Sequence, residues 1–121
     1  MIATVLMATA CAADDGPEPT AARPGDDGTL GVVHKNYAFE PERLVFRVGE
    51  TVAFELSSAD DVHTFTVKDL DINWSVRGGE GPNVQTYTFD RAGDFQLICA
   101  IPGHKGFGMV GTITVQSRRP A

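Results

Sequence analysis

The sequence predicts an all-β domain, a Greek-key sandwich or barrel of about eight strands, and three observations carry that prediction. Short runs of alternating apolar and polar residues recur from Thr29 onward. Thirteen Gly and seven Pro supply the turns that must separate such runs. No stretch keeps a strong helical period.

In chain order, Leu30–Asn36 reads as the first strand. Leu44, Phe46 and Val48 share one face of the next, and Gly49-Glu50 turns the chain into Thr51–Ser57. There Val52, Phe54 and Leu56 face one way and Thr51, Ala53, Glu55 and Ser57 the other, the period-2 pattern of a half-buried strand. Val62–Asp69, Ile72–Val76, Val84–Phe89, Asp94–Cys99 and Met109–Gln116 complete the set. The stretch Asp69–Pro82 is the least regular, with room for a loop or one helical turn around Trp74. Spacing of this kind suits antiparallel Greek-key connections.

A length of 121 residues allows one ordinary domain. Sixteen acidic residues against ten basic give a net charge of −6, which argues against a nucleic-acid partner. Apolar residues at 42% and charged residues at 21% suit a globular chain. With only two cysteines, Cys11 and Cys99, the chain is no disulfide scaffold.

The apolar run Ile2–Ala13 is too short to span a bilayer, which takes about 20 residues as a helix. Its length fits a secretory signal, and Ala8-Thr9-Ala10 reads as an A-x-A cleavage site. Small residues directly before Cys11 resemble the bacterial lipobox, which makes Cys11 the candidate for lipidation. Residues 1–11 are therefore read as a signal, and the protein as exported: periplasmic or extracytoplasmic, with a lipid anchor to the membrane if Cys11 is acylated. Residues 12–28 hold only Ala, Asp, Gly, Pro, Glu, Thr and Arg, nothing that fills a core, and read as a linker. The domain is expected over 29–117, followed by a tail at 118–121.

Chemistry concentrates near the C-terminus, in Cys99-Ala-Ile-Pro-Gly-His104-Lys-Gly-Phe-Gly-Met109. Upstream lies His63, in Asp61-Val-His63-Thr-Phe-Thr-Val67. Side chains in a strand alternate faces. By that rule His63 shares a face with Phe65 and Val67, Cys99 with Phe95 and Leu97, and Met109 with Gly111, Ile113 and Val115. Three strand ends thus aim an N or S donor toward the buried side, and the loop between Cys99 and Met109 adds His104. A thiolate with two imidazoles and a weak axial thioether is the ligand set of a blue-copper electron-transfer site. Zinc accepts Cys and His, but a thioether suits copper better.

Rival readings use fewer of these residues. A catalytic Cys–His dyad needs an accessible thiolate and leaves Met109 and one histidine idle. A copper enzyme needs a further copper held by histidines, and only His34 remains. His34 has no partner residue near it in sequence and is read as a surface or edge-strand histidine. A second cysteine in the loop, as a dinuclear copper centre would require, is missing. A copper carrier or storage protein would use the same four donors, but its usual mark is a Met/His-rich tail or an open Met cluster, and neither is present.

Over Leu30 to Gln116 the sequence resembles the cupredoxins, small blue copper proteins of the plastocyanin/azurin type. The specific parts are the strand-borne His63 and the Cys-x-Ile-Pro-Gly-His-x₃-Gly-Met loop. The resemblance implies one type 1 copper ion held by His63, Cys99, His104 and Met109, cycling between Cu(I) and Cu(II). It also implies that the residue after the first histidine clamps the ligand loops; here that is Thr64. Its N–H is expected to point at the Cys99 sulfur and its hydroxyl to brace the loop. His104 is expected to serve as the electron port, amid a small apolar patch of Ile101, Pro102 and Phe107. Such a patch suits a monomer that docks transiently on redox partners.

Overall fold

The computed structural model describes residues 21–117 and contains nine strands: β1 (Thr29–Lys35), β2 (Ala38–Glu40), β3 (Arg43–Arg47), β4 (Thr51–Ser58), β5 (His63–Val67), β6 (Ile72–Val76), β7 (Asn83–Thr88), β8 (Gly93–Ile98) and β9 (Val110–Gln116). They form a four-stranded sheet, β2-β1-β4-β7, packed on a five-stranded sheet, β3-β9-β8-β5-β6. The alternation in β4 decides its orientation. Val52, Phe54 and Leu56 are buried, while Thr51 and Glu55 face solvent. Facing them from the second sheet are Leu44, Phe46, Phe65, Leu97 and Ile113, all fully buried. Each such side chain contributes about 1.5–3 kcal/mol relative to exposure. Phe46 stacks on Phe89 at 4.3 Å, and Phe54 lies 5.2 Å from Phe65 across the sheets.

Several expectations need correction. The sheets are mixed rather than wholly antiparallel, because β1 pairs with β4 and β3 with β9 in parallel. Gly49-Glu50 does join β3 to β4, but these strands sit in different sheets, so the turn carries the chain across the sandwich. Backbone bonds between Gly49 and Phe89 and between Phe89 and Glu50 anchor it. The added strand is β2, only three residues long and too short to show alternation. The helical turn falls at Lys68–Leu70, before rather than around Trp74, which lies within β6.

The end of the stretch read as a linker packs on the domain. Ala22 bridges to Leu44, with bonds from Ala22 N–H to the Arg43 carbonyl and from Val45 N–H to the Ala22 carbonyl. Arg23 donates to Gln116 Oε1 at 2.8 Å. The rest of that stretch up to residue 20, together with the signal and Cys11 and the tail from residue 118, lies outside the described residues. Among the described residues no helix is long and apolar enough to cross a membrane.

Candidate metal centre

In the five-stranded sheet β8 runs toward one end of the sandwich, while β5 and β9, antiparallel to it, start there. His63 is the first residue of β5, Cys99 directly follows β8, and Met109 directly precedes β9, so the two sulfur residues flank the strands rather than belonging to them as the sequence pattern predicts. Register then brings them together: Ile98 pairs with Val110, and the Cys99 N–H donates to the Met109 carbonyl at 3.3 Å. Cys99, His63 and Met109 are each buried to within 1%.

His104 comes from the connecting loop, which is closed by its own backbone. The His104 N–H donates to the Ile101 carbonyl, and the N–H groups of both Phe107 and Met109 donate to the His104 carbonyl. Gly103 and Gly108 take φ of 90° and 100°, values that a side chain would strain, which explains glycine on either side of the histidine. His104 is half-buried.

Cys99 Sγ lies 3.4 Å from His104 Nδ1 and 4.0 Å from His63 Nδ1. The three donor atoms all fall within 4.8 Å of one another. Donors about 2.0–2.3 Å from a shared ion stand roughly 3.5–4 Å apart, and both sulfur–nitrogen separations fall close to that range, so these side chains are grouped to hold a single small metal ion. Met109 is fully buried and bonded through its backbone to both Cys99 and His104, which places a thioether side chain next to the group. This is a closed donor set of one thiolate, two imidazoles and one thioether, the soft combination that copper accepts.

The surroundings fix each donor. The Thr64 N–H donates to Cys99 Sγ at 3.4 Å. The Thr64 hydroxyl accepts from the Ala100 N–H at 2.7 Å, bonds to the Thr66 hydroxyl at 2.7 Å, and Thr66 donates to Asn73 Oδ1 at 2.8 Å. Because Thr66 has given its single proton to Asn73, Thr64 must donate to Thr66. The start of the ligand loop is thereby tied through two threonines to β6. At the other imidazole, His63 Nε2 meets Asp60 Oδ1 at 2.6 Å. Burial raises the Asp60 carboxyl, but the bonds from His63 and from the Asn36 and Asp61 N–H groups outweigh it and hold the group below its ordinary value.

Of the apolar patch expected around His104, Phe107 is 69% exposed and Pro102 exposed, while Ile101 is half-buried against the core. Sequence reasoning missed Tyr37, whose ring stacks on Phe107 at 4.8 Å and meets His104 edge-on at 5.2 Å. It lies in the short β1–β2 connection, which carries no sequence signal for such a contact. Asp60 was also missed, although a carboxylate three residues before a histidine ligand is a signal worth checking.

His34 is neither at the surface nor on an edge strand. Strand β1 lies between β2 and β4, and His34 is fully buried among Phe39, Phe65 and His63. Its Nδ1 donates to the Ser57 carbonyl at 3.1 Å, leaving Nε2 as a buried acceptor with no hydrogen-bond partner among the described residues. Burial lowers its pKa to about 4. The signal was present, since His34 shares a face with Leu30 and Val32.

A surface groove of about 440 Å³ lies between Glu42, Asp94, Gln96 and Thr112 and contains none of the four donors. Residues 27–116 match the family described as copper binding proteins, plastocyanin/azurin family. Over 91 residues the chain is 33% identical to cytochrome c oxidase subunit 2 of Thermus thermophilus, covering 73% of this chain and 65% of that protein. A second form from a named strain of that species matches equally, with 52% of its length covered. The chain thus spans less than two thirds of these relatives. Among solved structures, the periplasmic domain of subunit II of cytochrome oxidase from Bradyrhizobium japonicum aligns with a TM-score of 0.62, 16% identity, and coverage of 78% of this chain and 87% of that one. Auracyanin A, a blue copper protein from Chloroflexus aurantiacus, aligns at 0.59 with 21% identity, covering 73% of this chain and 98% of that one.

Proposed function

Since the chain belongs to the plastocyanin/azurin family of copper-binding proteins, we propose that it is a type 1 copper protein that carries single electrons outside the cytoplasm. One observation supports this reading above the others: two imidazole Nδ1 atoms stand 3.4 and 4.0 Å from one buried thiol sulfur, with Met109 closing the set. Bound there, copper supplies a one-electron Cu(II)/Cu(I) couple.

The residues of the chain do the rest. His63, Cys99 and Met109 sit at strand ends that the sandwich holds still, so the cage barely changes when its charge changes. The N–H of Thr64 stabilises charge on the sulfur. His104 reaches from the buried sulfur toward the surface, where Phe107, Pro102 and Tyr37 offer a small apolar contact for a redox partner. A small patch gives short-lived encounters, which a shuttle needs in order to dissociate. A single cysteine in the loop equips the chain for one ion rather than two. Relatives that are subunits of cytochrome oxidases, one of them a periplasmic domain, support an extracytoplasmic address and a redox partner.

The test is a visible spectrum of the purified protein titrated with Cu(II). An intense charge-transfer band saturating at one equivalent, with reversible reduction, is the expected result. Colourless protein with a reduced thiol would overturn the proposal. Copper lost to a chelator faster than any electron exchange would favour a carrier instead.

A further inference from the structure

We propose that Asp60 is a positioning residue for the metal centre: its carboxylate locks the His63 ring with Nδ1 turned to Cys99, and its fixed negative charge, one hydrogen bond from that ring, favours Cu(II) over Cu(I). The inference rests on the copper reading above.

The geometry is specific. Asp60 Oδ1 lies 2.6 Å from His63 Nε2, and the same oxygen accepts the Asp61 N–H at 2.7 Å. Oδ2 accepts the Asn36 N–H at 2.9 Å, so both carboxylate oxygens are held. An ionised carboxylate can only accept, so His63 Nε2 carries the proton and Nδ1 presents its lone pair on the side where Cys99 Sγ lies 4.0 Å away. The ring is fully buried, whereas the carboxylate is about one-third exposed, so the bond anchors a buried donor to a group at the rim.

The backbone around Asp60 is itself clamped from three directions. The Ala59 N–H donates to the His34 carbonyl on β1. Ser58 Oγ donates to the Asp61 carbonyl at 2.5 Å. Ser58 also bridges to Gly78 beyond β6, where an added Cβ would stand 1.8 Å from the Asp60 carbonyl oxygen. Only glycine at 78 lets the chain pass this close. The neighbouring carboxylate, Asp61, is exposed and carries the same charge in the same loop, which makes it a built-in control.

Carboxylate partners of metal-binding histidines fix the tautomer and ring orientation, and losing one typically weakens metal binding by about 10–100-fold. Asp60→Asn and Asp60→Ala separate the two effects, because the amide oxygen of Asn still accepts from Nε2 while the charge is gone. In the copper-loaded full chain, Asp60→Asn should raise the reduction potential with the visible spectrum kept. Asp60→Ala should raise it too, change the spectrum, and weaken copper binding within that range of about 10–100-fold. Asp61→Asn should move the potential less than Asp60→Asn. In metal-free protein, the long-range ¹H–¹⁵N spectrum of His63 should show the proton on Nε2 in the parent and a mixture of tautomers in Asp60→Ala. Unchanged potentials in both Asp60 variants, or a His63 tautomer indifferent to Asp60→Ala, would overturn the proposal. Failure of the parent to take up copper would overturn the electron-transfer reading instead, and the metal-free spectrum would still decide the role of Asp60.

Discussion

His63 and His104 offer the same atom, Nδ1, to the same sulfur, yet they arrive from opposite kinds of backbone. His63 begins a strand, is fully buried, and is held through Asp60 and the neighbouring Thr64 by bonds that reach the β1–β2 connection, β6 and the ligand loop. His104 hangs in an eleven-residue segment from Cys99 to Met109, bonded chiefly to itself, half-buried and edged by exposed aromatic rings. The difference teaches how one centre meets two demands. Packing on the strand side resists movement, and the loop side gives a partner access. A site built wholly from strands would be rigid and unreachable, and one built wholly from loops would be reachable but ill defined.

The largest effect should come from the residue both halves share. Cys99→Ser is expected to abolish the visible band of the copper protein while far-ultraviolet circular dichroism still reports the sandwich; retained colour would remove the sulfur from the site. Next come two glycines, one on each side. Gly78→Ala forces a Cβ onto the Asp60 carbonyl oxygen and should cost about 1–3 kcal/mol, the usual range for overpacking, read from the urea midpoint. Gly106→Ala in the loop meets nothing closer than the Gly103 carbonyl oxygen at 3.5 Å and should cost no more than about 0.5 kcal/mol. Equal losses would mean that the strand side is no more tightly packed than the loop.

His34 extends the strand side into the core and makes it sensitive to acid. Its folded pKa of about 4 lies below the ordinary 6.5, so the unfolded chain binds the proton more readily. Stability from this group is therefore present above pH 6.5 and is lost as the pH falls toward 4. Linkage gives a loss of about 2 kcal/mol between about pH 7 and pH 5, measured by urea unfolding of metal-free protein. His34→Gln should flatten that window, and an unchanged slope would assign the acid sensitivity to another group. The smallest structural effect belongs to the loop. Phe107→Glu should leave spectrum and stability as they were but slow electron self-exchange between Cu(I) and Cu(II) forms, because two apolar patches would become two like charges. An unchanged exchange rate would place the docking face away from His104.

Much of the donor set was legible because strand parity is local. His63, Cys99 and Met109 could each be assigned an inward side from the residues two positions away. His34 obeys the same parity with Leu30 and Val32, yet the sequence reading puts it at the surface. Its burial depends on β2 covering β1, and three residues ending at Glu40 show no alternation. Asp60 and Asp61 both lie within three residues of His63, and spacing alone does not choose between them; in the structure the turn after β4, with Gly78 packed on the Asp60 carbonyl, presents Asp60 to His63. Tyr37 is brought to Phe107 from the far side of the sandwich, a meeting between segments about seventy residues apart.

By itself the sequence determined the β class, the inward faces of the strands and the four donor types, since period-2 alternation and ligand chemistry are properties of neighbouring residues. Only the tertiary structure decided which strands pair in parallel, which carboxylate holds His63, how deeply His34 lies and which aromatic rings flank His104. Those outcomes depend on contacts between distant segments, where what settles a side chain's place is the space and hydrogen-bonding partners left by the rest of the chain.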